Sequence, residues 1–459
     1  MHRPDKLYGV KKAGVYLADR VKTAVLCPMQ TNQFIPIDKD TVRADTPGLA
    51  RPGQPVRLFM NSAGASLMPR PVITAMQDYL HLETQVGGYE TERLRADHME
   101  QLYGEAARLI NAKPHNIAFS YSTTAAYMQV LSAIPFQPGD VILTTTNDYI
   151  SNQLAFLSLQ QRLGVRLIRV HDLANGDLDL MHLEQLIQQH RPVLVAITHI
   201  PTNSGLVQPA EAIGAICNRY DCWYLLDAAQ SAGQLPLNVE RIQADFLVAT
   251  GRKFLRGPRN TGFLYVSDKV LATGLTPLFI DRQGADWTGS DTFAVRTDAR
   301  RFEPQEKSLS VVGLVEAVRY ANQLGIEAIG QANQVLMHRL RTGLGQIDGL
   351  DLTDWGSVQS NILTFHSTRQ SLATLEAALR QGGVLFTVQH KQGAIIDFTR
   401  KGIDWIIRLS PHYFNTVEEI DAVVALIDHS MAGVNGLAPN SPAFHGAGGY
   451  GCLEFTALG

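Results

Sequence analysis

The stretches PVLVAITHI (192–200), WYLLDAAQSAG (223–233) and VATGRKFLRGPRNTGFLYV (248–266) decide the fold of this chain. Each contains a short apolar run without polar alternation, which is the pattern of a strand buried on both faces. Similar runs recur outward in both directions, at NIAFSYS (116–122), VILTTT (141–146), VRLIRV (165–170) and TGFLYVS (261–267). Helical patterns such as SNQLAFLSLQQRLG (151–164) and LDLMHLEQLIQQH (178–190) separate them. Near-continuous apolar strands alternating with helices predict an α/β fold with a mainly parallel sheet covered on both sides. In such a sheet ligands bind beyond the carboxyl ends of the strands, so residues just after strands carry the chemistry.

The pattern changes near residue 308. Two long helical stretches, SLSVVGLVEAVRYANQLG (308–325) and IEAIGQANQVLMHRLRTGL (326–344), precede shorter strands at NILTFH (361–366), VLFTVQ (384–389) and WIIRLS (405–410). Thr416 and Glu419 have capping-box spacing before a final helix. The expected organisation is an N-terminal extension over 1–55, a large domain over 56–307, a smaller α+β domain over 308–435 and an irregular tail over 436–459. The extension lacks sustained periodicity and carries Pro36, Pro47, Pro52 and Pro55; it packs on the body or on a partner subunit, or hangs loose.

The chain of 459 residues has 18% charged residues and a formal net charge of -3, which argues against a nucleic-acid binder. No apolar run approaches the ~20 residues of a membrane helix. No signal-peptide pattern follows the basic start MHRPDKLYGVKKAG. Cys27, Cys217, Cys222 and Cys452 have the spacing of neither a zinc site nor a disulfide framework. A reducing cytoplasm is the expected setting, with no metal and no membrane or nucleic-acid partner.

Three segments carry candidate chemistry. Asp227 follows a strongly apolar strand, where a carboxylate is costly without a partner. A protonated pyridine nitrogen is one suitable partner; capping of the next helix is the other reading. Lys253 lies just past a strand in a turn with Gly251, Gly257 and Gly262. Near a cationic ring the pKa of a lysine falls, which suits imine chemistry, and Thr250 and Arg252 can bind a phosphate. Taken alone, the same turn reads as a basic surface loop. In SYSTTAAYMQV (120–130), Thr123 and Thr124 open a helix after a strand, an anion site or an ordinary N-cap.

Together these segments resemble the class V aminotransferase family of fold-type I pyridoxal 5'-phosphate (PLP) enzymes, which includes cysteine desulfurases, selenocysteine lyase and other C–S lyases. The resemblance runs from FMNSAGASLMP (59–69) to RLSPHYFNTVEEID (408–421). It implies a seven-stranded, mainly parallel sheet and a homodimer acting on an amino acid. It implies Lys253 as the lysine that forms the imine, Asp227 as partner of the ring nitrogen, and Gln230 and Asn203 beside the ring hydroxyl. Thr123, Thr124, Thr250 and Arg252 then match phosphate ligands, and Arg408 the arginine that grips the substrate carboxylate. Tyr149 stands where desulfurases place a ring-stacking histidine; it can stack and pass a proton, or simply pack.

The family pattern is broken in three places. The segment VQHKQGAIIDFTRKGIDW (388–405), where desulfurases carry a sulfur-accepting cysteine, has none. RFEPQEKSLS (301–310) lacks the threonine that often reaches the neighbouring subunit's phosphate, leaving Lys307 or Ser308 as substitutes. The stacking histidine is absent. The expected activity is β-elimination at a cysteine-derived C–S bond, with transamination or epimerisation as alternatives, and a catalytically inactive PLP-fold regulator as a reading from another class.

Overall fold

The computed structural model describes residues 37–49 and 57–433. Its centre is a seven-stranded sheet built from β1 (Ile117–Ser120), β2 (Val141–Thr144), β3 (Arg166–Arg169), β4 (Leu194–Thr198), β5 (Trp223–Asp227), β6 (Phe246–Thr250) and β7 (Gly262–Val266). The spatial order is β1-β7-β6-β5-β4-β2-β3. Neighbours are parallel except at β7, which runs antiparallel to both β6 and β1. All seven strands coincide with the apolar runs, as the α/β expectation required.

The apolar strands are explained by burial on two faces. Val195, Ile197, Tyr224, Leu226, Leu247 and Ala249 join a core shared with helices Arg70–Val86, Gly88–Ile110, Ala210–Arg219 and Leu309–Leu324. The alternate residues Leu194, Ala196, Leu225, Phe246 and Val248 join a second core, with helix Thr123–Ala133 and Phe156. A period-2 backbone sends neighbours to opposite sides, so covering both sides demands apolar residues at every position.

A second, four-stranded sheet orders Leu350–Leu352, Leu363–Ser367, Trp405–Leu409 and Thr387–His390, all antiparallel. Helices Ile326–Leu344, Leu372–Gln381 and Val417–Met431 share its core. The last helix opens with the capping box expected at Thr416 and Glu419. A two-residue strand, Leu58–Phe59, pairs with Val384–Leu385. The sequence reading had no element for that strand, nor for the hairpin Ala285–Gly289 and Thr292–Val295, whose residues are largely exposed and lack an apolar pattern.

Part of the expected extension docks on the body. Helix Lys39–Ala44 places Arg43 against the Phe414 carbonyl at 2.8 Å and Glu419 at 2.9 Å. Residues 1–36, 50–56 and 434–459 lie outside the described residues, and with them the expected tail and most of the extension. The dock is pinned by Arg256, which is 1% exposed. Its guanidinium donates to the Leu67 carbonyl (2.8 Å), the Tyr413 hydroxyl (2.8 Å) and the Thr46 hydroxyl (2.6 Å), and lies 4.7 Å from the Phe414 ring centre. A buried cation held by neutral oxygens and ring faces needs every one of them. Arg256→Ala, which removes the bonds and leaves a void, is expected to cost about 3 kcal/mol of stability. Urea denaturation of the two proteins checks this; a loss within experimental error would remove Arg256 from its anchoring role.

Candidate active site

The carboxyl ends of the parallel strands converge on one cavity of about 200 Å³. Thr198, Asp227 and Thr250 are the last residues of β4, β5 and β6. Thr123, Thr124, Tyr149, Asp227, Gln230, Thr250, Arg252 and Lys253 all line this cavity. Their sequence separation exceeds one hundred residues, so the register of the sheet is what gathers them. Tyr121, Ser122, Thr202, Arg259 and Asn260 join them without having been singled out from the sequence.

One end of the cavity is built for an anion. Helix Thr123–Ala133 starts there, and its N-cap is Ser122, which accepts from Ala125 N–H at 3.0 Å. Capping by Ser122 leaves the Thr123 hydroxyl free: it is buried and has no partner. The first N–H groups of a helix have no intrahelical acceptor and carry partial positive charge. Arg252 lies in the same lining, its pKa drawn down chiefly by burial and further by Arg259, with Tyr149 acting in the opposite sense. Thr250 donates its hydroxyl to the Thr261 carbonyl at 3.1 Å, which braces the turn carrying Lys253.

At the other end, Asp227 is 2% exposed. One of its oxygens accepts from Ala229 N–H at 2.9 Å and the other from the Asn152 amide at 3.0 Å. Burial pushes its pKa up; Asn152, Ala229 and Lys253 pull it down. Gln230 donates to the Ala63 carbonyl (3.2 Å) and the Thr202 hydroxyl (3.1 Å), while its own side-chain oxygen is buried without a partner.

Lys253 is 8% exposed. Burial is the main cause that brings its pKa down to about 7, with Arg252 and Arg408 adding like-charge repulsion and Asp227 opposing them. Arg408 does not line the cavity but lies behind Thr202, donating to that residue's carbonyl (2.8 Å) and hydroxyl (2.7 Å). Burial, then Arg252, lowers its pKa to about 10, and its Nε has no partner. The guanidinium is therefore held by neutral groups only, with Thr387 and Asn61 on its far side at 3.3 and 3.4 Å.

Three further residues singled out from the sequence, Asn203, Lys307 and Ser308, sit apart from the lining. Asn203 is outside the lining and donates to Asp397 at 2.8 Å, with its own oxygen unpartnered. Lys307 is held by Glu303 at 2.5 Å and the Tyr103 hydroxyl at 2.7 Å, and Ser308 is the N-cap position of helix Leu309–Leu324. Conversely, sequence reasoning missed Asp148, Asn152 and Thr198, a hydrogen-bonded set around Asp227. Their one signal was position: Asp148 and Asn152 flank Tyr149 after β2, and Thr198 ends β4.

A model of the family described as aminotransferase class-V matches residues 58–423. A probable cysteine desulfurase of Methanothermobacter thermautotrophicus is 28% identical over 391 residues, covering 83% of this chain and 95% of its own. The apo cysteine desulfurase of Thermococcus onnurineus NA1 matches with a TM-score of 0.77 at 25% identity, over 86% of this chain and 98% of that one. The cystine C–S lyase C-DES, solved with its reaction product cysteine persulfide, shares the fold: TM-score 0.73 and 22% identity over 83% of this chain and 99% of that one.

A buried amine whose pKa is brought down to about 7 is unprotonated, and therefore nucleophilic, in about half of the molecules at neutral pH. Competitive labelling of the apoprotein with acetic anhydride should show Lys253 acquiring reactivity near pH 7, well below the surface lysines. A titration of Lys253 above pH 9 would contradict this.

Proposed function

This chain belongs to the class-V aminotransferase family and is a PLP-dependent enzyme, and from that premise we propose that it is a C–S lyase. It cleaves a cysteine-derived amino acid by β-elimination and does not pass sulfur to a mobile-loop cysteine of its own. The observation that carries this reading is the segment before Arg408: residues 388–405 hold no cysteine, and the chain has none between Cys222 and Cys452. Cys217 and Cys222 are 1% and 5% exposed within the core on one face of the sheet, and neither lines the cavity.

The open hydrogen-bonding positions fit PLP. The Thr123 hydroxyl, with Thr124 and Arg252 beside it and Thr250 bracing the turn, suits the phosphate. The vacant Gln230 oxygen can accept from the ring hydroxyl, and Asp227 can pair with the ring nitrogen. Asn203 lies outside the lining, with its nitrogen engaged by Asp397 and its oxygen left open to accept from that hydroxyl. PLP, when bound, supplies an electron sink for the bonds at the substrate's Cα.

Each remaining task falls to a residue of the chain. Arg408, held only by neutral partners and with a free Nε, grips the substrate carboxylate through charge-assisted hydrogen bonds and fixes its orientation. Lys253, its pKa brought down to about 7 chiefly by burial and so in reach of the unprotonated form at neutral pH, takes the Cα proton. Tyr149, in the lining, donates a proton to the departing sulfur. The C–S bonding pair leaves with the sulfur, and the remaining carbon skeleton departs as 2-aminoacrylate, which one water hydrolyses to pyruvate and ammonia.

The holoenzyme, given cysteine, cystine or cysteine S-conjugates and no keto acid, is expected to release pyruvate and ammonia in step with a sulfur product, followed by mass spectrometry. Turnover that needs a keto acid would make it a transaminase instead. Persulfide on Cys27 or Cys452 during turnover would reinstate a relay.

We also propose a homodimer in a reducing, cytoplasmic setting. Leu278, Phe279, Trp287 and Phe293 are 70%, 79%, 82% and 60% exposed on one region of the chain, and Trp287 faces Phe293 across the hairpin. Large exposed apolar residues grouped in this way suit a protein interface. The buried thiols of Cys217 and Cys222 are unpaired, as a reducing setting would keep them. Trp287→Ser with Phe293→Ser should shift sedimentation from dimer to monomer, and an unshifted dimer would place the interface elsewhere.

A further inference from the structure

Beneath the cavity lies a second buried carboxylate that the family comparison does not assign. Asp148 is 7% exposed and sits in the turn between β2 and helix Ile150–Leu163. Its Oδ1 accepts from the Thr198 hydroxyl, the Tyr149 backbone N–H (2.6 Å) and the Asn152 amide (3.1 Å). Its Oδ2 accepts from the Gln153 amide (2.8 Å) and the Thr144 hydroxyl (3.3 Å). The N–H groups among these can only donate, so the arrangement fits the ionised carboxylate and leaves little place for a proton on it. Burial is the largest influence and leaves its pKa above the usual carboxylate range, against the Thr198, Gln153, Asn152 and Tyr149 donors that pull it down; those donors are what favour the ionised form.

The same Asn152 nitrogen also donates to Asp227, at 3.0 Å. One amide thus bridges two buried carboxylates, and the Thr198 hydroxyl, 3.4 Å from that nitrogen, braces the bridge. Like charges this close repel, and each favours a positive charge nearby; Asp148 also borders a separate cavity together with Arg169 and Asp397. The ionisable groups facing Asp148 are Asp227, Arg169 and Tyr127. Arg169 reaches it indirectly, donating at 2.7 Å to Gln153, which donates to Asp148. Tyr127 is fully buried and stays protonated.

We propose that Asp148 is a positioning residue for the cofactor: through Asn152 and Thr198 it adds a second fixed negative charge behind Asp227, so that two carboxylates keep the PLP ring nitrogen protonated. This rests on PLP occupying the cavity with its nitrogen toward Asp227. The competing role is purely local. Asp148 also anchors the start of the helix that carries Asn152 and Gln153, and holds the backbone of Tyr149.

Asp148→Asn separates the two roles, because it keeps an acceptor oxygen for the turn and removes the charge. Asp148→Ser, whose hydroxyl can cap the helix start, is the second neutral variant should the first fail to fold. Asp148→Glu keeps the charge. The measurement is the ring-nitrogen signal of holoenzymes loaded with 15N-labelled PLP, followed by 15N NMR across pH. The neutral variants are expected to lose ring protonation at a pH lower by roughly one to two units than the wild type. Asp148→Glu is expected to follow the wild type. Neutral variants that bind PLP and titrate as the wild type does would overturn the proposal and leave Asp148 as a helix anchor. A wild type that takes up no PLP would instead sink the premise, which is a distinguishable result.

Discussion

Burying an amine and a guanidinium close to a second, half-buried guanidinium is expensive, and the organisation of the site follows from that cost. Lys253 and Arg408 are both nearly fully buried, with Arg252 close enough to repel each of them. No carboxylate in the described residues forms an ion pair with any of the three, and Asp227 only tempers the field from the strand beside Lys253. The amine responds with a pKa brought down to about 7, so it readily gives up its proton; the guanidinium of Arg408 does not do so at neutral pH, and is held by the oxygens of Thr202, Asn61 and Thr387. A site with this excess of positive charge is complete only with anions in it. A phosphate and an α-carboxylate are the two that PLP chemistry on an amino acid brings.

The sheet makes this concentration possible. Parallel neighbours place the ends of β4, β5 and β6 side by side, so Thr198, Asp227 and Thr250 arrive together although about fifty residues separate the first from the last. The reversed strand β7 then returns the chain beside β6, and the Thr250 hydroxyl ties to the Thr261 carbonyl across the turn between them. Lys253 is in that turn, so its backbone is braced on both sides. Arg408 comes from the other sheet. Its strand pairs with the segments carrying Thr364 and Thr387, which fixes the direction of the guanidinium toward Thr202.

Hydrogen-bond capacity separates the parts of the site that are finished from the parts that wait. Asp227 and Asp148 have donors on both oxygens. The Thr123 hydroxyl, the Gln230 oxygen and the Arg408 Nε are buried with none. Buried polar atoms without partners are costly; Thr123 and Gln230 line the cavity and Arg408 lies behind Thr202, and that placement gives the cost a reason. The departures from the desulfurase pattern leave these positions in place: Tyr149 stands in place of a histidine, residues 301–310 lack a threonine, and residues 388–405 ahead of Arg408 lack a cysteine.

The seven strands of the main sheet were legible in the amino-acid sequence because burial on both faces forces apolar residues into consecutive positions, a local signal that survives without the fold. The positions of Asp227 and Lys253 were legible for a related reason, since a charged residue directly after such a strand stands out against its surroundings. The exposed hairpin at 285–295 and the two-residue strand at 58–59 left no comparable trace, because exposed pairs and very short pairings impose no periodicity. Asp148, Asn152 and Thr198 were equally silent: polar residues at strand ends and helix starts are common, and their meaning depends on which ends become neighbours. That neighbourhood is set by the strand order, with β4 placed between β2 and β5, and only the tertiary structure decides it, because strand order is fixed by packing between segments distant in the chain. What the sequence alone determined was the kind of chemistry at each strand end; which of those ends share a hydrogen bond was left to the folded sheet.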